Sequence, residues 1–162
     1  MPDQDFSNSK LAKEFNAGII GLSIDEHGVA ATVDAKVEIG MRIIAAAMEA
    51  GISPDSVYLD PIILPINCNQ QAPGIVLETI RQFKMLSDPA PHVVVGLSNL
   101  SQGTQERHLI NRTFLVMAIA AGLDTSIQDP LDHEMTDAMI TTELLLNKTI
   151  YSDSFLKAYR QQ

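Results

Sequence analysis

Ser56-Val57-Tyr58-Leu59-Asp60-Pro61-Ile62-Ile63-Leu64-Pro65 is the stretch that decides how this chain folds. A short apolar run stops at an aspartate, and a proline-flanked apolar loop follows. Runs that are apolar throughout, rather than at every second position, mark parallel strands covered on both faces. Proline after Asp60 cannot continue a ladder, so the strand ends there.

Working outward, the same rhythm repeats. Ala17 to Ile24 reads as a buried strand. Val33 to Ala50 reads as a helix with Val33, Val37, Met41, Ile44 and Met48 on its inward stripe and Gly51 closing it. Pro73 to Leu86 is the next helix, with Pro73 in its first turn and Val76, Ile80 and Phe83 facing inward. His92 to Leu97 is a third strand. Leu109 to Ala121 is a helix with Ile110, Phe114, Met117 and Ala121 inward and Gly122 at its end. Thr125 to Gln128 is a short fourth strand, followed by a helix over Glu134 to Leu146. Flanking helices are expected at Ser9 to Asn16 and Asp153 to Tyr159. Strand and helix in alternation give an α/β fold with right-handed crossovers.

The strand ends carry a second pattern. Gly21-Leu22-Ser23 and Gly96-Leu97-Ser98 close the first and third strands, and Asp60-Pro61 and Asp129-Pro130 close the second and fourth. Alternate strands of a TIM (β/α)₈ barrel supply alternate layers of side chains, so a two-strand period is expected there. A closed barrel takes about 250 residues, and this chain has 162. The expectation is therefore four consecutive β/α units, a half-barrel of parallel strands with outer helices, as one domain over 1–162.

Composition narrows the function. Hydrophobic residues make up 46% and charged ones 19%, enough to build a core. Trp is absent, so that core is aliphatic. The net charge of -9 argues against nucleic acid and anionic membranes as partners, although a local pocket can still attract an anion. Cys68 stands alone, which fits a reducing, cytoplasmic setting. Apolar runs such as Ile43 to Met48 are too short to span a bilayer, and the first residues lack the character of a signal peptide. No dinucleotide or phosphate loop occurs. His27, His92, His108 and His133 lack ligand spacing, so no metal site is expected. Asp132-His133-Glu134 reads as a helix start capped by Asp132.

Two loops remain as candidate chemistry. Asp60 sits where parallel barrels place their sites. Its carboxylate can accept paired hydrogen bonds from a planar N–C–N edge such as the 2-amino and N3–H edge of a pterin; equally, it can serve only to cap its own loop. Ser98, Asn99, Ser101 and Gln102 crowd neutral donors and acceptors behind Gly96, which suits a heterocycle with mixed edges; Ser, Asn and Gly also build ordinary turns. Arg107 and Arg112 flank the following helix entry, where each could meet an anion or simply charge the surface.

Four strings resemble one family: Asp60-Pro61-Ile62-Ile63-Leu64-Pro65, Lys84-Met85-Leu86-Ser87-Asp88-Pro89-Ala90-Pro91, Gly96-Leu97-Ser98-Asn99-Leu100-Ser101-Gln102 and Leu109-Ile110-Asn111-Arg112-Thr113-Phe114-Leu115. They are similar to the methyltetrahydrofolate:corrinoid/iron-sulfur protein methyltransferases, as is Ile150-Tyr151-Ser152-Asp153-Ser154-Phe155 near the end. The resemblance covers nearly the whole chain and implies the C-terminal half of a pterin-binding barrel that usually dimerises. It implies methyl transfer from N5 of methyltetrahydrofolate to cobalt in a corrinoid (cobalamin-type) cofactor carried by a partner protein, within one-carbon metabolism.

The resemblance places Asp60 on the pterin amino edge, Asn99 near N5 as the catalytic residue, and Gly96, Ser98 and Gln102 along the same pocket, with Ile127 and Asp129 bordering the ligand. Another pterin-binding Asp and Asn come from earlier strands in that family, and these strands are absent here. The implied partners are thus a corrinoid protein and either a second copy or a chain supplying the missing half-barrel. Two other readings stand beside this one. A dihydropteroate synthase would carry Lys at the position of Asn99 and a glycine-rich loop in place of Ile62-Ile63-Leu64-Pro65. A non-catalytic or truncated pterin-binding half-barrel would bind without turnover.

Overall fold

A computed structural model describes residues 7–152. Four parallel strands form the main sheet: β1 (Ile19–Leu22), β4 (Val57–Asp60), β5 (His92–Gly96) and β6 (Thr125–Ile127). They lie side by side in chain order, β1-β4-β5-β6, with no reversal of order. A doubly wound sheet reverses at a switch point, whereas a barrel wall does not. The sheet is four consecutive β/α units of a barrel, the α/β half-barrel expected from the sequence.

Helices α2 (Val33–Glu49), α3 (Ala72–Phe83), α4 (Arg107–Ala121) and α5 (His133–Leu145) pack each against the next. A further helix, α1 (Ser7–Glu14), precedes β1. Val57, Leu59, Val93 and Val95 point into the core that the helices cover, and all four are fully buried. Ile80 and Phe83 of α3 meet them there, also with no exposed area. Removing a side chain of this kind from a packed core costs about 3–5 kcal/mol for Phe.

Register separates the two faces. Ile20 pairs with Tyr58, and Leu22 with Asp60; Tyr58 pairs with His92; Gly96 pairs with Ile127. These residues share the face away from the helices, the inner wall of the barrel. On it, Ile20 is 58% exposed, Leu22 47% and Ile127 61%. Among the described residues that inner side is open at β1 and β6 and closed at the middle of β5, where Val94 is buried.

Several expectations are corrected. The first strand ends at Leu22, and Ile24–Asp25 (β2) instead pairs antiparallel with Gly28–Val29 (β3) in a small hairpin. Two-residue strands carry no readable period. The inward stripe of α2 runs through Lys36, Gly40, Ile44 and Ala47, while Met41 and Met48 stay exposed. Gly40 explains the rotation, since a Cβ there would stand 2.7 Å from the Phe83 ring. In α4, Met117 is exposed, and Leu115, Ala118 and Ile119 share the buried side with Phe114 and Ala121. Helix α4 starts at Arg107, before the expected Leu109. The expected helix at Asp153 to Tyr159 lies outside the described residues.

Candidate functional site

Parallel strands place all their C-terminal ends on one rim. Asp60 is the last residue of β4, and Gly96 the last of the adjacent β5. A single 3₁₀ turn, Leu97–Asn99, follows β5, and it folds Asn99 back over the strand end. The Asn99 Nδ2 lies 3.4 Å from where a Cβ on Gly96 would sit. Asp60 and Asn99 therefore emerge on the same rim of neighbouring strands. Ile127 ends β6 beside Gly96, and Asp129 follows it.

The Asp60 corner is clamped from several sides. Ser23, fully buried after β1, gives both its N–H and its hydroxyl to the Asp60 carbonyl, at 2.9 Å each. Asp60 Oδ1 accepts the Ile62 N–H at 2.8 Å, which closes an Asx turn. The capping alternative read from the sequence is thus present in this one oxygen, and the other, Oδ2, takes no hydrogen bond from the described residues. Ile62 sits at φ +52°, a left-handed conformation uncommon for a β-branched residue. Burial pushes the Asp60 carboxyl above the ordinary carboxylate range, opposed by the Ile62 N–H and by the charge of Lys36.

The second loop is equally well built. Ser101 is buried, its hydroxyl reaching the Ser98 carbonyl at 3.4 Å and accepting from Arg107 Nε at 3.2 Å. Arg107 also donates to the Ser98 carbonyl at 3.1 Å. Ser101 and Arg107 are therefore occupied in shaping the loop; neither presents itself at the rim. Ser98, Asn99 and Gln102 are exposed, and no hydrogen bond engages their side chains among the described residues. Loop joins loop where the Ile66 N–H donates to the Leu100 carbonyl at 2.9 Å.

Asp129 repeats the Asp60 turn, with Oδ1 accepting the Leu131 N–H at 2.9 Å, but it is exposed. Arg112 is paired with Glu134 across the starts of α4 and α5. His108 contacts Asp132 at 3.1 Å, and Asp132 caps α5 through the Met135 N–H. These charges tie the starts of α4 and α5 to each other.

Residues 2–128 match the family described as pterin binding enzyme. The chain belongs to that family. It is 27% identical over 146 residues to "Methylcorrinoid:tetrahydrofolate methyltransferase" of Eubacterium limosum, covering 88% of this chain and 52% of that protein. It is 34% identical over 125 residues to "Methionine synthase" of Mycobacterium leprae (strain TN), covering 73% of this chain and 10% of the relative. A third match, "Methionine synthase" of Mycobacterium tuberculosis (strain ATCC 25618 / H37Rv), is 34% identical over 134 residues, 78% of this chain and 11% of the relative. The chain spans about half the length of the first of these relatives.

In this pterin-binding half-barrel the rim presents one free carboxylate oxygen, two free side-chain amides and a hydroxyl. Such a set can meet a heterocycle whose edge mixes N–H donors with ring-nitrogen acceptors. No three His, Cys, Asp or Glu side chains gather as a metal site among the described residues. Among the same residues no helix is long and apolar enough to cross a membrane.

Sequence reasoning passed over Lys36 and Ser23. The signal for Lys36 was available, since a lysine sharing its helix face with Gly40, Ile44 and Ala47 must be buried. Ser23 lies in the loop where the first strand was drawn too long.

Proposed function

We propose that this chain, as one domain over 1–162, is the C-terminal half of a folate-dependent methyltransferase that moves a methyl group between N5 of tetrahydrofolate and a corrinoid protein. The observation that carries the reading is the pairing of a free Asp60 Oδ2 with a free Asn99 amide on adjoining strand ends. Asp60 holds the 2-amino and N3–H edge of the pterin. Gly96, Ser98 and Gln102 line the pocket, and Ile127 and Asp129 border it. A corrinoid carried by the partner protein supplies the cobalt that exchanges the methyl group. The residues present fit the folate, and nothing in the chain needs to hold the corrinoid itself. The name of the Eubacterium relative runs the transfer toward tetrahydrofolate, and the same contacts serve either direction.

Unprotonated N5 would have to leave as an amide anion, so it takes a proton from solvent as its bond to the methyl carbon breaks and the methyl group passes to the corrinoid. Asn99 has no useful pKa and is not the proton source. Its carbonyl accepts a hydrogen bond from N5–H as positive charge develops, and proton placement of this kind is worth about 10²–10⁴ in rate. Four strands make half a barrel wall, and a complementary half-barrel completes the site; the reaction takes place in the cytoplasm.

The test is Asn99→Ala in the chain joined to its complementary half. Methyl transfer should fall by about 10²–10⁴ while methyltetrahydrofolate affinity changes little. Equal losses in rate and affinity would make Asn99 a plain binding residue. Failure of the wild-type barrel to bind methyltetrahydrofolate in a titration would end the reading and leave a half-barrel without this ligand.

A further inference from the structure

A lysine is rarely buried without a partner, and Lys36 is only 3% exposed. It belongs to α2, on the helix face that meets the sheet, and its ammonium reaches the loop that follows Asp60. Lys36 Nζ donates to the Pro61 carbonyl at 2.5 Å and to the Ile62 carbonyl at 3.4 Å. These carbonyls flank the one residue of the corner in a left-handed conformation, Ile62. The corner thus has three ties: Ser23 on the Asp60 carbonyl, the Asp60 carboxylate on the Ile62 N–H, and Lys36 on the two carbonyls beyond. Of the two side chains that tie the corner from outside it, Ser23 and Lys36, only Lys36 brings a charge.

We propose that Lys36 is the positioning residue of the Asp60 corner, pinning its loop and supplying the counter-charge that keeps the free carboxylate oxygen an acceptor at the rim. The proposal rests on the pterin-site reading for its function, but its physical core, a lysine that sets a carboxylate, stands without any ligand. A strained left-handed isoleucine persists only where its surroundings hold it, and the ammonium is the group that holds both of its flanking carbonyls. Burial drives the Lys36 ammonium below its ordinary pKa, and the Asp60 charge opposes that shift; burial drives the Asp60 carboxyl up, and Lys36 opposes that in turn. The two groups therefore keep each other charged in a site that disfavours either charge alone.

Other charges near this end of the sheet are engaged elsewhere or distant. Asp25 of the hairpin faces Arg42 of α2 at 3.6 Å. On the neighbouring β5 the one titratable side chain is His92, at the opposite end of the strand.

The experiment follows the Asp60 carboxyl carbon by NMR through a pH titration of the full chain, in wild type, Lys36→Gln, Lys36→Met and Lys36→Arg. Gln keeps a donor for the carbonyls and drops the charge. The Asp60 midpoint should rise in Lys36→Gln and in Lys36→Met, and stay near wild type in Lys36→Arg. With methyltetrahydrofolate as the probe, the pH profile of binding to the completed barrel should move upward in Lys36→Gln by the same amount as the Asp60 midpoint. An unchanged midpoint in folded Lys36→Gln overturns the assignment. Loss of the fold in both neutral variants also overturns it, because Lys36 would then support the core as a whole. A midpoint that rises in a chain that never binds the folate leaves Lys36 setting Asp60 and removes the pterin reading alone.

Discussion

Two Asp-Pro corners close alternate strands of this half-barrel, and the same hydrogen bond folds both. Asp60 Oδ1 takes the Ile62 N–H, and Asp129 Oδ1 takes the Leu131 N–H. Beyond that bond they diverge. The Asp60 corner is backed by a buried lysine and a buried serine, contains a left-handed isoleucine, and joins the Asn99 loop. The Asp129 corner is exposed and leads straight into the cap of α5. A dipeptide at the end of a strand specifies a turn. The side chains packed beneath it decide whether the turn becomes a site.

The sharpest way to break this comparison is to neutralise each corner in turn. Asp60→Asn puts a donor where the pterin edge also donates, and should weaken methyltetrahydrofolate binding to the completed barrel by about 10-fold or more, the scale of a lost hydrogen bond to a charged group. Asp129→Asn, at the border of the pocket, should weaken it by clearly less. Similar losses at both positions in a binding titration would erase the distinction between the corners.

A smaller effect separates the two Gly-Leu-Ser strings. Gly21 faces outward, where a Cβ would stand 2.6 Å from Ile43 Cγ2 of α2. Gly96 faces inward, beneath Asn99. Gly21→Ala should therefore cost about 1–3 kcal/mol in denaturant unfolding, as overpacking does. A neutral result would mean that α2 is free to move outward.

The smallest effect lies at the exposed corner. Asp132→Ala removes the cap bond to the Met135 N–H and should cost about 1 kcal/mol. The Asp132 carboxyl is held below the ordinary range, first by that N–H and then by His108. A depressed folded-state pKa gives stability that is present above the unfolded value and lost as pH falls through the folded one. The gap between wild type and Asp132→Ala should close in acid, and an equal gap at every pH would remove the carboxylate from the account.

These contrasts show why the sequence was legible in parts. Apolar runs of four or five residues ending at Asp60 and Gly96 are long enough to identify parallel strands, and Val76, Ile80 and Phe83 mark the buried side of α3 without ambiguity. The Asp60 and Asn99 loops stand out because polar residues gather at strand ends. The face of α2 was misread because methionine looks inward-facing by type, whereas Met41 and Met48 lie outside and a glycine and a lysine lie within. The equivalence of Gly21 and Gly96 fails for a related reason: identical letters one position out of phase point to opposite sides of a sheet. Lys36 escapes notice because a charge is assigned to the surface by type, although its spacing from Gly40, Ile44 and Ala47 places it on the buried face.

The inner wall, open at β1 and β6 among the described residues, has a consequence for how the chain behaves among copies of itself. Ile20, Leu22 and Ile127 invite contact, while the net charge of -9 pushes like chains apart. A complementary chain of lower or opposite charge would meet the attraction without the repulsion. Electrostatic bias of this sort would let stickiness and selectivity coexist on one surface, making the choice of companion a matter of ionic strength as well as shape.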